Sequence, residues 1–284
     1  MTSALMSCEE LHNLISGSDT DLVILDATFA LPNTPVDPDL FYQNKRIGNA
    51  QYFNVDEVAD KTSPLPHMLP TAEYFAECVG AMGISNQTKV IIYGQSDIAM
   101  GPARAWWMFR AFGHEDVFVL NGSLQDWEYN KGFSVQTSCP LPSESKKYNA
   151  SLNPACVVSM DEVAEISLQN LAPILDARPQ ERFDGKMPEP RAGLKSGHIP
   201  NSCCLPAGFL IDPQTGGLRP VSELRELFEE GHLKGAPPPV MTCGSGVTAC
   251  LLGLTFHELG REDFRIYDGS WSEWGASELP IEAL

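Results

Sequence analysis

The sequence predicts an α/β protein built from two tandem domains, each a parallel sheet covered by helices on both faces. Two observations carry this. The same order of elements occurs twice along the 284 residues. The apolar runs that would form strands are short and continuous, as expected of strands buried on both faces by crossover helices.

In the first half the elements are LVILDAT (Leu22 to Thr28), VIIYGQSD (Val90 to Asp97), a helix containing Arg104 to Phe112, and VFVLNGSLQDW (Val117 to Trp127). The second half repeats them as APILDAR (Ala172 to Arg178), VMTCGSGV (Val240 to Val247), a helix through Leu259, and FRIYDGSWSEW (Phe264 to Trp274). The stretch from Ser134 to Asn153 is polar and broken by Pro140 and Pro142, with Pro154 just beyond it, so it reads as a linker. These marks divide the chain into a first domain at 1–137, a linker at 138–153 and a second domain at 154–284.

Composition excludes several functions. A hydrophobic fraction of 43% suits a globular protein, and no apolar run reaches the length of a membrane span. A net charge of -18 argues against direct nucleic-acid binding, because phosphate backbones are gripped by clustered cations. The eight cysteines are scattered with no C-x-x-C pair, so neither a metal site nor a disulfide framework is expected, and a reducing, cytoplasmic location follows. The first twenty residues hold Glu9, Glu10 and Asp19 but no lysine or arginine, which gives no support for a mitochondrial presequence. No cofactor is expected.

The chemistry concentrates in PVMTCGSGVTACLLGL, Pro239 to Leu254. A buried strand of Val240, Met241 and Thr242 ends at Cys243, the glycines curl the backbone around it, and a helix continues from Val247. Curled amides and a helix N-terminus favour a thiolate, lowering a cysteine pKa from about 8.5 to roughly 3.5 to 7.5. A core cysteine that merely packs has no need of glycine at both the next position and the third along. Gly244, Gly246 and Ala249 also satisfy the dinucleotide spacing G-x-G-x-x-A, but too little parallel sheet follows to complete that unit. A cysteine phosphatase would place an arginine where Ala249 stands. Ligands in open parallel sheets bind beyond the carboxyl ends of the strands, where this loop lies, and Gly94 takes the place of Cys243 in the first half. Only the second domain is therefore expected to do covalent chemistry.

The loop RFDGKMPEPRAGLKSGHIPNS brings Arg182, Lys186, Arg191 and Lys195 into an otherwise acidic chain. Guanidinium forks grip carboxylates through paired hydrogen bonds, so a small anionic substrate is the expected partner. The alternative for each arginine is a surface charge or a local pair with Glu181 or Glu189. His198 is read as structural, and Trp271 and Trp274 with Asp268 and Glu273 as packing. The whole reading requires the sulfur to be reachable from solvent and the arginines to face it.

These blocks, with SPLPHMLP (Ser63 to Pro70), WWMFRAFGH (Trp106 to His114), GHIPNS and YDGSWSEWG, give a chain that resembles the two-domain rhodanese-type sulfurtransferases over nearly its whole length. CGSGVT is the loop form of the 3-mercaptopyruvate branch, whereas thiosulfate-preferring rhodaneses carry basic residues after the cysteine. The resemblance implies that Cys243 takes sulfur as a persulfide and releases pyruvate. A thiol such as thioredoxin, or cyanide, then accepts the sulfur. It implies substrate binding by Arg182 and Arg191 and by the loop residues Gly244, Gly246, Val247 and Thr248, with Ser245 assisting the sulfur or the leaving enolate. A thiosulfate:cyanide sulfurtransferase and a sulfur-relay protein serving tRNA thiolation stay open as alternatives. One departure concerns KRIGNA, Lys45 to Ala50, where relatives often have RHIPGA with a relay histidine. Arg46 stands at that position, similar to fungal members, so a relay through it is not expected. Arg46 either adds positive potential at a domain cleft or is structural. The resemblance also leaves a mitochondrial share open.

Overall fold

In the computed structural model, residues 2–17, 21–30, 34, 37–97, 99–230 and 236–284 are described. Among the described residues, ten strands form two five-stranded sheets. The first holds β1 (Leu5–Met6), β2 (Leu22–Asp26), β3 (Gln51–Tyr52), β4 (Lys89–Gly94) and β5 (Val117–Ser123) in the order β1-β5-β4-β2-β3. The second holds β6 (Val157–Val158), β7 (Ile174–Asp176), β8 (Ser202–Cys204), β9 (Val240–Thr242) and β10 (Arg265–Tyr267) in the matching order β6-β10-β9-β7-β8. Every strand pairing is parallel, as the continuous apolar runs require.

The repeat extends to details of local chemistry. Ser7 caps the helix Cys8–Ser16 and Ser159 caps the helix Met160–Gln169, each in a reciprocal box with the glutamate three residues on, Glu10 and Glu162. The helices after the central strands, Gly101–Ala111 and Ala249–Glu258, are buried along almost their whole length, so they are core elements rather than amphipathic covers. The second of these starts at Ala249, two residues later than the sequence suggests, because Cys243 to Thr248 is consumed by the loop.

The chain divides into two compact units whose membership is not contiguous in sequence. One comprises Met1–Lys61, Pro70–Leu152 and Ile211–Leu218; the other comprises Thr62–Leu69, Asn153–Leu210 and Arg219–Leu284. Each unit thus incorporates a short segment from the opposite half, and the two insertions are fixed alike. In the first unit the Leu218 amide donates to Asn121 Oδ1 at 2.8 Å; in the second the Leu69 amide donates to Asp268 Oδ2 at 2.7 Å. Asn121 and Asp268 occupy the same place in the repeated LNGS and YDGS blocks.

Linear boundaries at 137 and 153 do not contain this exchange. The stretch read as a linker lies along the first unit: the Lys146 amide donates to Gly80 O at 2.9 Å, its ammonium pairs with Asp21 at 2.6 Å, and Asn149 and Asn86 bond reciprocally. Tyr148, buried edge-on against Phe75, anchors it. One aromatic in a polar run is enough to dock a segment whose backbone finds partners.

Candidate active site

At the carboxyl end of β9 the chain turns out of the sheet at Cys243 and enters the helix at Ala249. The turn is pinned from one side by Ser270 to Ser272. The Cys243 amide donates to Ser270 Oγ at 3.1 Å, the Cys243 carbonyl accepts from the Trp271 amide at 3.0 Å, and the Gly244 carbonyl accepts from the Ser272 amide at 2.8 Å and its hydroxyl at 2.7 Å. In a trans peptide the N–H points opposite to the C=O, so the Gly244 and Ser245 amides face away from that turn. Among the described residues, the amides of Gly244, Ser245, Val247 and Thr248 donate to no other group. Unspent donors converging at a helix N-terminus form a cradle for negative charge.

Gly246 makes this curl possible. Its φ of +73° is left-handed, and a Cβ there would fall 2.5 Å from Asp268 O and 2.9 Å from Asp268 Oδ1. Asp268 is buried and holds the Leu69 amide with its other oxygen, so it fixes the loop and the inserted segment together. It has a structural part in the site beyond the packing expected of it.

Arg182 reaches the loop. A Cβ on Gly244 would lie 3.1 Å from Arg182 Nη2, so the guanidinium rests over the one position where no side chain stands in its way. Its side chain is 14% exposed and pairs closely with Glu189, itself 2% exposed. Glu189 also accepts from Arg178 Nη1 at 2.8 Å, and Arg178 makes a paired grip on Asp176 while lying 4.2 Å over the Trp271 ring. Burial works against the charge on Arg178, but Asp176 and Glu189 outweigh it, and its pKa is raised. The local pair with Glu189 therefore exists, yet as part of a buried network that aims Arg182, not as a solvated surface pair.

Arg191 Nη2 lies 3.0 Å from His67 Nε2, which must accept because a guanidinium only donates. Lys186 and Lys195 turn to other partners, Asp184 at 2.8 Å and the Ser277 carbonyl at 2.7 Å. His198 is structural as expected: it is stacked 3.8 Å from the Phe183 ring and its Nδ1 lies 2.8 Å from the Phe183 carbonyl. Trp271 and Trp274 are buried and spend their indole N–H groups on Lys195 O and Pro280 O.

One expectation is corrected. Cys243 is 2% exposed, so the requirement of a sulfur reachable from solvent is not met in this conformation; the partly exposed members of the loop are Gly244 and Thr248. Ser245 and Val247 are buried with the cysteine. At position 46 the sequence leaves two readings open. Arg46 is buried in the first unit, bonded to the Ser138 carbonyl and 5.8 Å over the Tyr42 ring, which is the structural alternative of the two. The histidine that meets one of the expected substrate arginines is His67, in the inserted SPLPHMLP segment. Its φ of 60° is an unusual backbone for a non-glycine residue, and nothing in its local sequence announces the meeting with Arg191.

A family model described as Rhodanese-like domain matches residues 7–130 and 159–277, once for each sheet. The chain belongs to the rhodanese family. This rhodanese is 40% identical over 265 residues to the 3-mercaptopyruvate sulfurtransferase of Homo sapiens, a match covering 93% of this chain and 88% of that one. It is 38% identical over 287 residues to thiosulfate/3-mercaptopyruvate sulfurtransferase 1, mitochondrial, of Arabidopsis thaliana, covering 94% and 75%. Among solved structures it is similar to the Tum1 protein of Saccharomyces cerevisiae, with a TM-score of 0.90 and 27% identity over 100% of this chain and 99% of that one. Among the described residues no helix is long and apolar enough to cross a membrane.

Proposed function

We propose that this chain is a sulfurtransferase that moves sulfur from 3-mercaptopyruvate to a thiol acceptor through a persulfide on Cys243. The Cys243 thiolate attacks the donor sulfur. The bond from that sulfur to the donor's methylene carbon breaks, its electron pair leaves on the carbon as the enolate of pyruvate, and a proton converts the enolate to pyruvate. An acceptor thiolate then attacks the outer sulfur and regenerates the Cys243 thiolate. The names of the human and plant relatives support the donor, and the geometry supports the residues.

The observation that carries this reading is the Arg182 guanidinium over Gly244, beside a loop with unspent amides. The amides of Gly244, Val247 and Thr248, with Gly246 setting the curl, hold charge on sulfur before and after transfer. Arg182 and Arg191 bind the carboxylate and carbonyl of the donor and spread the charge that grows on the enolate. Glu189 uses only part of the five-donor fork of Arg182, leaving donors for a substrate. Ser245 assists the departing enolate. Burial of Cys243 favours a small donor and keeps water from the persulfide. The acceptor, a protein dithiol of the thioredoxin kind or a relay protein, approaches on the side of Gly244 and Thr248. A cytoplasmic location is part of the same proposal, checked by imaging the tagged chain; the plant relative's name makes a mitochondrial signal the contrary result.

A second reading, with thiosulfate as donor, is supported by the plant relative's name. The neutral Gly244 and Ser245 argue against it, since a dianion gains from cations in the loop itself. Comparing kcat/KM for the two donors decides between them: the proposal expects 3-mercaptopyruvate to be preferred, and a preference for thiosulfate reverses it.

A further inference from the structure

The first unit has its own cavity at the end of its sheet that corresponds to the Cys243 loop. It measures about 420 Å³ and opens beyond the carboxyl ends of β2, β4 and β5, where parallel sheets bind ligands. Phe29, Phe41, Met100 and Leu124 give it an apolar wall. Among the described residues its charged lining is one ion pair: Lys45 Nζ lies 2.8 Å from both Glu128 oxygens and 3.3 Å from the Tyr129 hydroxyl.

Two features set this place apart from its counterpart. The residues Asp126–Asn130, which carry Glu128 and Tyr129, form a π-helical turn closed by Lys131 N to Asp126 O at 3.0 Å. Such turns are rare and recur at functional sites, and the helix that follows β10 in the second unit, Ser270–Trp274, is an ordinary α-helix. The charge pattern differs too. Where the second unit has Arg178, the first has Thr28, whose hydroxyl and amide bond Asp26 while Gln95 Nε2 bonds the other oxygen at 2.7 Å. The buried arginine that organises the second unit's network is thus absent here, and the charge lining this cavity is a balanced pair beside an apolar wall.

We propose that this cavity binds a zwitterionic α-amino acid with an apolar side chain. The carboxylate takes Lys45, the ammonium takes Glu128, and the side chain lies against Phe29, Phe41, Met100 and Leu124, with Tyr129 at the rim. Lys45 and Glu128 are 39% and 23% exposed, and a solvated pair of this kind is weak, so a ligand opens it at little cost. A keto acid anion such as the proposed sulfur donor meets Glu128 without a countercharge and is excluded. The inference does not depend on the sulfur-transfer reading.

The test is calorimetric titration of the full chain with L-methionine, with 4-(methylthio)butanoate, which lacks the ammonium, and with 3-(methylthio)propylamine, which lacks the carboxylate. L-methionine is expected to bind, and each singly charged analogue to bind about tenfold more weakly. Glu128→Gln should remove the preference over the butanoate, and Lys45→Met the preference over the amine. Both variants should keep sulfur transfer, which also reports that they fold. Binding must survive Cys243→Ser, because that change lies in the other unit. The proposal is overturned if L-methionine gives no heat, if both variants bind it as the parent does, or if Cys243→Ser abolishes binding.

Discussion

Two glycines one residue apart, Gly244 and Gly246, should fail in opposite ways when each is replaced by alanine. At Gly246 the new Cβ meets main-chain and carboxylate oxygens of Asp268 at 2.5 and 2.9 Å, in a backbone at φ +73°. The left-handed backbone costs about 1–2 kcal/mol for a residue with a Cβ, and forcing an atom into a packed wall adds about 1–3 kcal/mol. Gly246→Ala should therefore lose about 2–5 kcal/mol, a large part of the roughly 5–15 kcal/mol that holds a domain folded. At Gly244 the backbone is not left-handed, and the Cβ meets only the far end of Arg182 at 3.1 Å. Stability should be unchanged or rise by up to about 1 kcal/mol, since alanine restricts the unfolded chain. The displaced guanidinium should instead raise the KM for 3-mercaptopyruvate by about tenfold or more, the value of a hydrogen bond from a charged group. Urea unfolding followed by tryptophan fluorescence, beside steady-state transfer kinetics, reads both effects. The argument fails if Gly246→Ala is as stable as the parent, or if Gly244→Ala lowers stability while leaving KM alone.

Arg182→Ala should raise KM for the donor by about 10- to 100-fold with a smaller loss in kcat, and His67→Ala should raise it less, through Arg191; steady-state kinetics checks both. Ser245→Ala should lower kcat with KM little changed. The two buried strand-end aspartates should respond differently to amidation. Asp176 is paired with Arg178, so Asp176→Asn leaves Glu189 alone to balance Arg178 and Arg182 and should cost about 3–5 kcal/mol in denaturant titrations. Burial pushes the Asp26 carboxyl up despite its bonds from Thr28 and Gln95. A raised carboxyl means that the folded state keeps its proton longer, so Asp26 weakens folding as pH rises from its ordinary value of 3.8 through its folded one. Asp26→Asn should therefore remove this fall of stability with pH, although its amide N–H meets a donor at Thr28 or Gln95; an acid-to-neutral series of unfolding curves for parent and variant shows whether the slope disappears.

The duplicated sheet was readable because buried parallel strands leave continuous apolar runs, and LVILDA and APILDA could be laid over one another. Cys243 was readable because glycines at Gly244 and Gly246 announce a backbone bent round one atom. The exchanged segments were not, since Leu69 and Leu218 are fixed by single bonds to Asp268 and Asn121 across 199 and 97 residues. Glu189 looked like a surface acid in a proline-rich loop; only the fold buries it between two arginines. His67 escaped for a similar reason, its meeting with Arg191 spanning 124 residues. Burial of the thiol was also hidden, because it comes from the surrounding fold and not from the loop's own sequence.

The central claim is that sulfur resides on Cys243 between the two half-reactions. Mixing the protein with 3-mercaptopyruvate without an acceptor, digesting it and weighing the peptides by mass spectrometry tests this directly. The account predicts one added sulfur atom on the Cys243 peptide, matched by an equal amount of pyruvate and lost again when a thiol is added. Pyruvate released while that peptide stays unmodified, or sulfur found on Cys203, Cys204 or another cysteine instead, would contradict it.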